Sequence, residues 1–504
     1  MFLKAVDMKK IIYPIGILTI VFALSSCQDD FLDRSPLSAI SSETFWKSEQ
    51  DIMGALSACY DPLSPVGWEA GFGGLTAQWE ALSDDGYTNA GWPSNFPAPS
   101  RGLIESTTGG IVRDWYFLNY KAIATCDFFL RNIDSVEKLD ATARKQYIGE
   151  VRFLRALYYS RLVKVYGGVI ITGEVDIDNM DLPKNTREEV VKEVLDDLDY
   201  AIANLPNTAY AGRAVKGSAL ALKARVLMTE SRWAEAAQAA KQVIDDQKFS
   251  LSDDFAGMFN GQSQDGNPEI IFSSVYTAPD KVSHLDIMYG SWRSCSPLQG
   301  LVDAYECTDG KSISESPLFD PENPYENRDP RLDLTVFLPG EPWEYGNGVV
   351  DEVFLSTGFA WEKYIDRTQA PVTSTIKSAQ DVIILRYADV LLMYAEAKNE
   401  ADGPDQSVYD ALNEVRARPG VDMPAVSGLS KEELREKIRN ERRVELAMEG
   451  IRYFDLKRWG IAHIIVPQIE DPGVTRIFEQ KHYLWPFPQS EIDINDKLVQ
   501  NDGY

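Results

Sequence analysis

Histidine and cysteine are scarce, at three and five residues among 504. His284, His463 and His482 stand far apart, and no two cysteines form a CxxC pair, which argues against a zinc site built from these residue types. Positive charge is also short. Lys and Arg number 50 against 77 Asp and Glu, a net charge of −27 that disfavours nucleic acid as a partner. Long hydrophobic runs are missing: the mostly apolar stretch Ile11 to Leu24 has about 14 residues, below the roughly 20 that a spanning helix needs. No GxSxG stands in a strand-to-helix context, so a serine hydrolase has little support. Gly71-Phe72-Gly73-Gly74 is too short and wrongly placed for a phosphate loop. No cofactor and no metal ligand set is assigned.

The N-terminus carries the strongest local signal. Lys9-Lys10, the apolar stretch and Val21-Phe22-Ala23-Leu24-Ser25-Ser26 have the layout of a secretory leader. Cys27 follows directly, as in a bacterial lipobox, where the thiol takes a diacylglycerol and becomes the new N-terminus. Residues 1–26 are therefore predicted as leader, Cys27 as the lipidation site and Met8 as a plausible start. The mature chain, 27–504, has a net charge of about −29 and begins with Gln28-Asp29-Asp30. Cys59 and Cys126 fall in helical patterns and read as buried thiols. For Cys295 and Cys307, a disulfide and two free thiols are equally open.

Helical periodicity dominates both ends of the mature chain. Asp114 to Ile133, Thr142 to Val165 and Arg187 to Asn204 read as long helices, the second stopped by Gly167-Gly168 and the third by Pro206. Ser218 to Met228, a turn at Ser231-Arg232-Trp233 and Ala234 to Ile244 follow the helix–turn–helix logic of a tetratricopeptide repeat. Asp389 to Glu400 with Val408 to Ala417 repeats it. Two stretches differ, about 61–110 and 248–380, being rich in Gly, Pro, Asp and aromatics. The expected fold is mostly α, a tetratricopeptide-like helical scaffold carrying two large loop-rich inserts.

Several motifs converge on one family. Glu150-Val151-Arg152-Phe153-Leu154-Arg155-Ala156-Leu157-Tyr158-Tyr159 running on to Tyr166-Gly167-Gly168, Asn327-Arg328-Asp329-Pro330-Arg331-Leu332, and Leu385-Arg386-Tyr387-Ala388-Asp389 are three of them. Asn440-Glu441-Arg442-Arg443-Val444-Glu445, Glu449-Gly450-Ile451-Arg452-Tyr453-Phe454-Asp455 and the terminal Gln500-Asn501-Asp502-Gly503-Tyr504 continue the series. In this order they resemble SusD/RagB outer-membrane nutrient-binding lipoproteins over nearly the whole chain. The resemblance implies a lipid-anchored protein on the outer face of the outer membrane. It further implies capture of glycan and its delivery to a TonB-dependent SusC-like transporter. Peptide capture on the same scaffold is the alternative within the family, and a surface glycoside hydrolase the alternative outside it.

Glu441 and Glu445 are the residues that an enzyme reading would use, since a glycosidase needs two carboxylates. Side by side on one helix face, they would not straddle a substrate bond. Arg442, Arg443, Arg452 and Arg458 lie nearby in sequence, so structural ion pairs are favoured. Ser430 with Glu433 reads as a capping box. The acidic run Asp320 to Asn327 lacks EF-hand spacing and reads as a solvated loop. Trp68, Trp79, Trp92, Trp292, Trp343 and Trp361 stand in the irregular segments, and sugar rings stack on such faces. The expected ligand site joins the two inserts, with Trp92, Trp292 and Trp343 as stacking faces. Tyr87 and Tyr289 flank them, while Asn89, Asn95 or Asp85 bond hydroxyls.

Overall fold

The computed structural model describes residues 45–64, 76–91, 94–173, 181–343, 348–349, 357–369, 378–470, 472–473 and 475–504. Cys27 and the leader lie outside them. The longer helices, in chain order, are α1 Glu49–Tyr60, α2 Ile111–Asn132, α3 Ala141–Tyr166, α4 Arg187–Asn204 and α5 Lys216–Thr229. They continue as α6 Trp233–Asp246, α7 Tyr387–Asp402, α8 Gln406–Arg416, α9 Lys431–Glu445 and α10 Arg452–Arg458. From α2 to α6 each helix packs on the next; α7 lies back on α6 and then receives α8 and α9. This is the expected helical scaffold.

Local chemistry explains the boundaries. Thr186 Oγ1 accepts the Glu189 N–H at 3.2 Å and the Glu189 carboxylate accepts the Thr186 N–H at 2.8 Å, a capping box that opens α4. Val190, Val194, Leu198 and Ala201 then line its buried face. The same device at Ser430 and Glu433 opens α9, as expected. Helix α3 is buried on nearly every side, which makes it the central helix, and it stops at Gly167 in the left-handed region (φ 75°). Buried Ala219, Ala221 and Ala224 let neighbours approach α5 closely. One boundary differs from expectation: Trp233 begins α6 rather than ending the turn before it.

The second insert is spliced between α6 and α7. Strands Ile270–Ser274 and Val382–Arg386 pair antiparallel at its neck, and every residue of both is buried. Beyond the neck the segment has its own apolar core, which includes Phe255, Phe259, Leu332 and Trp361 together with Val444, Ala447 and Met448. Trp361 is 0% exposed, so it is a core residue and not a candidate stacking face.

An ionic core joins insert to scaffold. Glu445 accepts hydrogen bonds from Arg386 at 2.6 Å and from Arg331 and Arg418 at 2.8 Å. Glu269 meets Arg386 at 2.8 Å and also Arg418, while Glu449 meets Arg386 and Lys363, each at 2.7 Å. Glu441 lies 2.7 Å from Arg331 and 2.6 Å from Arg416. Burial works against ionising Glu445, yet Arg418, Arg386 and Arg331 together hold its carboxyl well below the usual range. The structural pairing of the two glutamates is as expected, but not their partners. Arg442 and Arg458 instead hold Asp455, and Arg443 and Arg452 hold Asp84. Those arginines are near in sequence; the ones used come from folded neighbours.

Replacing Glu445 with Gln removes the charge shared by three buried guanidiniums. The expected loss is about 3–5 kcal/mol of unfolding free energy, read from urea melts of variant and wild type. An unchanged midpoint would show that the network carries no stability.

Candidate ligand-binding site

The expected site rests on two segments that the structure does bring together. Gly86–Tyr87 pairs antiparallel with Ser296–Pro297, with Gly86 opposite Pro297 and Tyr87 opposite Ser296. Thr88 donates to the Ser294 carbonyl at 2.6 Å, and the Leu298 N–H donates to the Asp85 carbonyl at 3.0 Å. A Cβ at Gly86 would lie 2.8 Å from the Glu80 carbonyl carbon and 3.0 Å from Cys295 Sγ, so only glycine permits this approach. Insert thus meets insert through backbone.

The first segment is locked to the scaffold by charge. Asp84 takes both nitrogens of the Arg452 fork, at 2.8 and 2.9 Å. Asp85 takes Arg443 at 2.6 Å. Arg476 donates to the carbonyls of Ala81, Ser83 and Gly86 at 3.0, 2.7 and 2.7 Å. Burial opposes the ionisation of Asp84, but Arg443 and Arg452 overcome it and hold the carboxyl far below its ordinary value. Asp85 goes the other way: burial lifts it despite Arg443.

The second segment makes a tight turn at Asp286–Ser291. Buried Asp286 pins it, accepting from the Asp366 N–H at 2.8 Å and from Gln380 at 2.7 Å. The Trp292 N–H closes the turn onto the Ile287 carbonyl at 2.7 Å, and Ser294 N–H onto Met288 at 2.8 Å. The Trp292 side chain is left 45% exposed above this floor.

The other expected site residues divide. Asn89 is exposed next to Thr88, on the same rim as Trp292. Asn95 is exposed too, in the left-handed turn that precedes the short helix Pro97–Ser100. Tyr87 is almost wholly buried, and Tyr289 and Asp85 entirely so. Tyr289 packs in the insert core and Asp85 is spent on Arg443, so both position the rim from beneath. Trp92, Trp68 and the Trp343 side chain lie outside the described residues. Trp79 is buried among Trp115, Phe454 and Trp485, with ring centres 4.9–5.2 Å apart. Cys295 and Cys307 are buried free thiols. Asp320 closes its own loop, accepting from Glu322 N–H and Asn323 at 2.9 and 2.8 Å.

Sequence reasoning missed the residues that hold the rim: Glu80, Arg443, Arg452 and Arg476. The adjacent pair Asp84-Asp85 in an aromatic-rich segment was a usable signal, because two neighbouring acids require cations from elsewhere.

Comparison with known proteins agrees with the architecture. The family model described as "SusD family" matches residues 255–504, and one described as "Starch-binding associating with outer membrane" matches 30–228. The chain belongs to the SusD/RagB family. SusD-like proteins P25 and P38 of Formosa agariphila are 25% and 28% identical to it, each alignment covering 97% of this chain and 98% of the relative. A solved structure from Bacteroides fragilis, described as a SusD-like carbohydrate binding protein, is 28% identical. It superposes with a TM-score of 0.81 over 90% of this chain and 100% of its own.

Glu80 gives the rim a pH dependence. Its carboxyl accepts the Gly450 N–H at 2.8 Å, and burial, then Asp85, push its value up to about 8. The folded state therefore keeps a proton that the unfolded chain gives up near pH 4.5, and stability falls as pH rises between about 4.5 and 8. Glu80→Gln keeps the oxygen but not the titration. Relative to wild type the variant should gain about 1–3 kcal/mol between pH 5 and 8, measured by urea unfolding across that range. A pH-independent difference would mean that Glu80 is ionised in the fold.

Proposed function

We propose that the protein is a non-catalytic, cell-surface glycan-binding lipoprotein, anchored through Cys27, that hands oligosaccharide to a TonB-dependent SusC-like outer-membrane transporter. Family membership supports binding and outer-membrane association. The carbohydrate-binding description of the B. fragilis relative points to the same ligand class. In the fold, the carrying observation is Trp292: a half-exposed indole on a hydrogen-bonded turn, two residues from Ser294, whose carbonyl accepts from Thr88, the chain neighbour of exposed Asn89. An indole face matches the C–H face of a pyranose ring, and an amide bonds its hydroxyls. Trp92, Trp343 and Asn95 complete the proposed site, with Tyr87, Tyr289 and Asp85 supporting it from below. Residues 1–26 are the proposed leader and 27–504 the mature domain.

The buried carboxylates favour binding over catalysis. Glu441 and Glu445 are ion-paired and enclosed, so neither presents an oxygen to a substrate.

A calorimetric screen of neutral oligosaccharides and short peptides tests the cargo. For a saccharide that binds, Trp292→Ala should cost about 2 kcal/mol or more with an unchanged melting temperature. Wild-type affinity in that variant would place the site elsewhere, and binding of peptides alone would reverse the cargo class.

Anchoring has a separate test. Cys27→Ala should move the protein from the membrane to the soluble fraction and abolish labelling by a fatty-acid analogue. Retention with label would refute lipidation at Cys27.

A further inference from the structure

Two buried thiols belong to neither the ligand rim nor the ionic core. Cys59 ends the buried face of α1, after Ile52 and Leu56, and Cys126 lies on the buried face of α2 between Ile123 and Phe129. Alone, each would be a small core residue. Their juxtaposition sets them apart. Helix α1 packs on α2, and the Cys59 thiol donates at 3.8 Å to the carbonyl of Thr125, the residue before Cys126. The two thiols also meet side chain to side chain.

Helix α3 fixes the backbone on both sides of the pair. The Tyr158 hydroxyl donates to the Cys59 carbonyl at 2.8 Å. Asp127, next to Cys126, accepts from Arg155 of α3 at 2.9 Å and from the Thr172 hydroxyl at 2.8 Å. Burial, then the contact with Cys59, push the Cys126 thiol well above its ordinary value. With α3 docked, that thiol stays protonated and inert to outside reagents.

We propose that Cys59 and Cys126, free thiols in this structure, close to a disulfide that ties α1 to α2 in the exported protein. The inference rests on the export proposed above, since disulfides persist outside the cytoplasm. The oxidant is the disulfide of a thiol–disulfide oxidoreductase. One cysteine thiolate attacks it, giving a mixed disulfide and releasing one oxidant thiol. The second thiolate then attacks the cysteine sulfur of that mixed disulfide and expels the other oxidant thiol. Two electrons and two protons leave the pair, and the oxidant ends as a dithiol. Because both sulfurs are enclosed in the fold, this exchange precedes the docking of α3. The bridge closes the loop 59–126, which carries Asp84, Asp85 and Asn89, and stabilises chiefly by restricting the unfolded chain.

Peptide mapping tests it. The full chain is expressed with its leader, alkylated with N-ethylmaleimide in denaturant at lysis, and digested for mass spectrometry. A linked pair joining Cys59 to Cys126 is expected. Alkylation of both residues in protein from the membrane fraction overturns the inference. The same result in protein held in the cytoplasm overturns the export reading instead, and refolding then decides the pair. Reduced chain, unfolded in urea and refolded in a glutathione redox buffer, should give the same linked peptides; two alkylated thiols there overturn the pairing. Melting gives a second readout. Wild type refolded and melted in reductant should have a Tm roughly 3–5 °C below the oxidised protein, and Cys59→Ala should show no such difference. An unchanged wild-type Tm, or an equal shift in the variant, overturns a stabilising bridge. Should Cys59→Ala fail to fold, the wild-type map and melts still decide.

Discussion

The buried salt-bridge network centred on Glu445 is the constraint on which the rest of the molecule depends. Three guanidiniums, from Arg331, Arg386 and Arg418, converge on one carboxylate with no access to solvent. Desolvating these groups is costly, and only close pairing with full hydrogen bonding offsets it. The groups come from α9, from the neck strand, from the insert and from the turn after α8. Their geometry therefore cannot be satisfied unless all four have docked. The network acts less as added stability than as a requirement that insert and helices adopt one relation.

That relation sets the ligand rim. The segment 79–91 is tied to the scaffold by Asp84, Asp85 and Arg476, and to the second insert by the short Gly86–Tyr87 ladder. Trp292 projects from a turn whose backbone bonds are already made. A ring held in this way loses little freedom on meeting a ligand, so more of its contact energy appears as affinity. Fixed floors beneath exposed aromatics are the economical way for a loop region to bind a flat, hydroxylated face.

Acidity and local positive charge coexist here without contradiction. A net charge of −27 belongs to the chain as a whole, while individual helix junctions are held by arginine. Where carboxylates match the cations, as around Glu445, the junction is closed.

The sequence by itself determined most of the long helices and their order, though not Glu49–Tyr60 or Arg452–Arg458. Arg187–Asn204 could be read residue for residue, because a capping box, a one-sided apolar face and a following proline are all local signals. The family motifs were legible for the same reason, being contiguous strings. Exposure was not. Trp361 and Trp292 occur in similar Gly- and aromatic-rich surroundings, yet one is enclosed and the other is 45% exposed. Nor could the partners of Glu441 and Glu445 be named, since Arg331, Arg386, Arg416 and Arg418 reach them from other parts of the chain. Burial and charge pairing are properties of non-local contacts, and those are decided only when the insert docks on the helices.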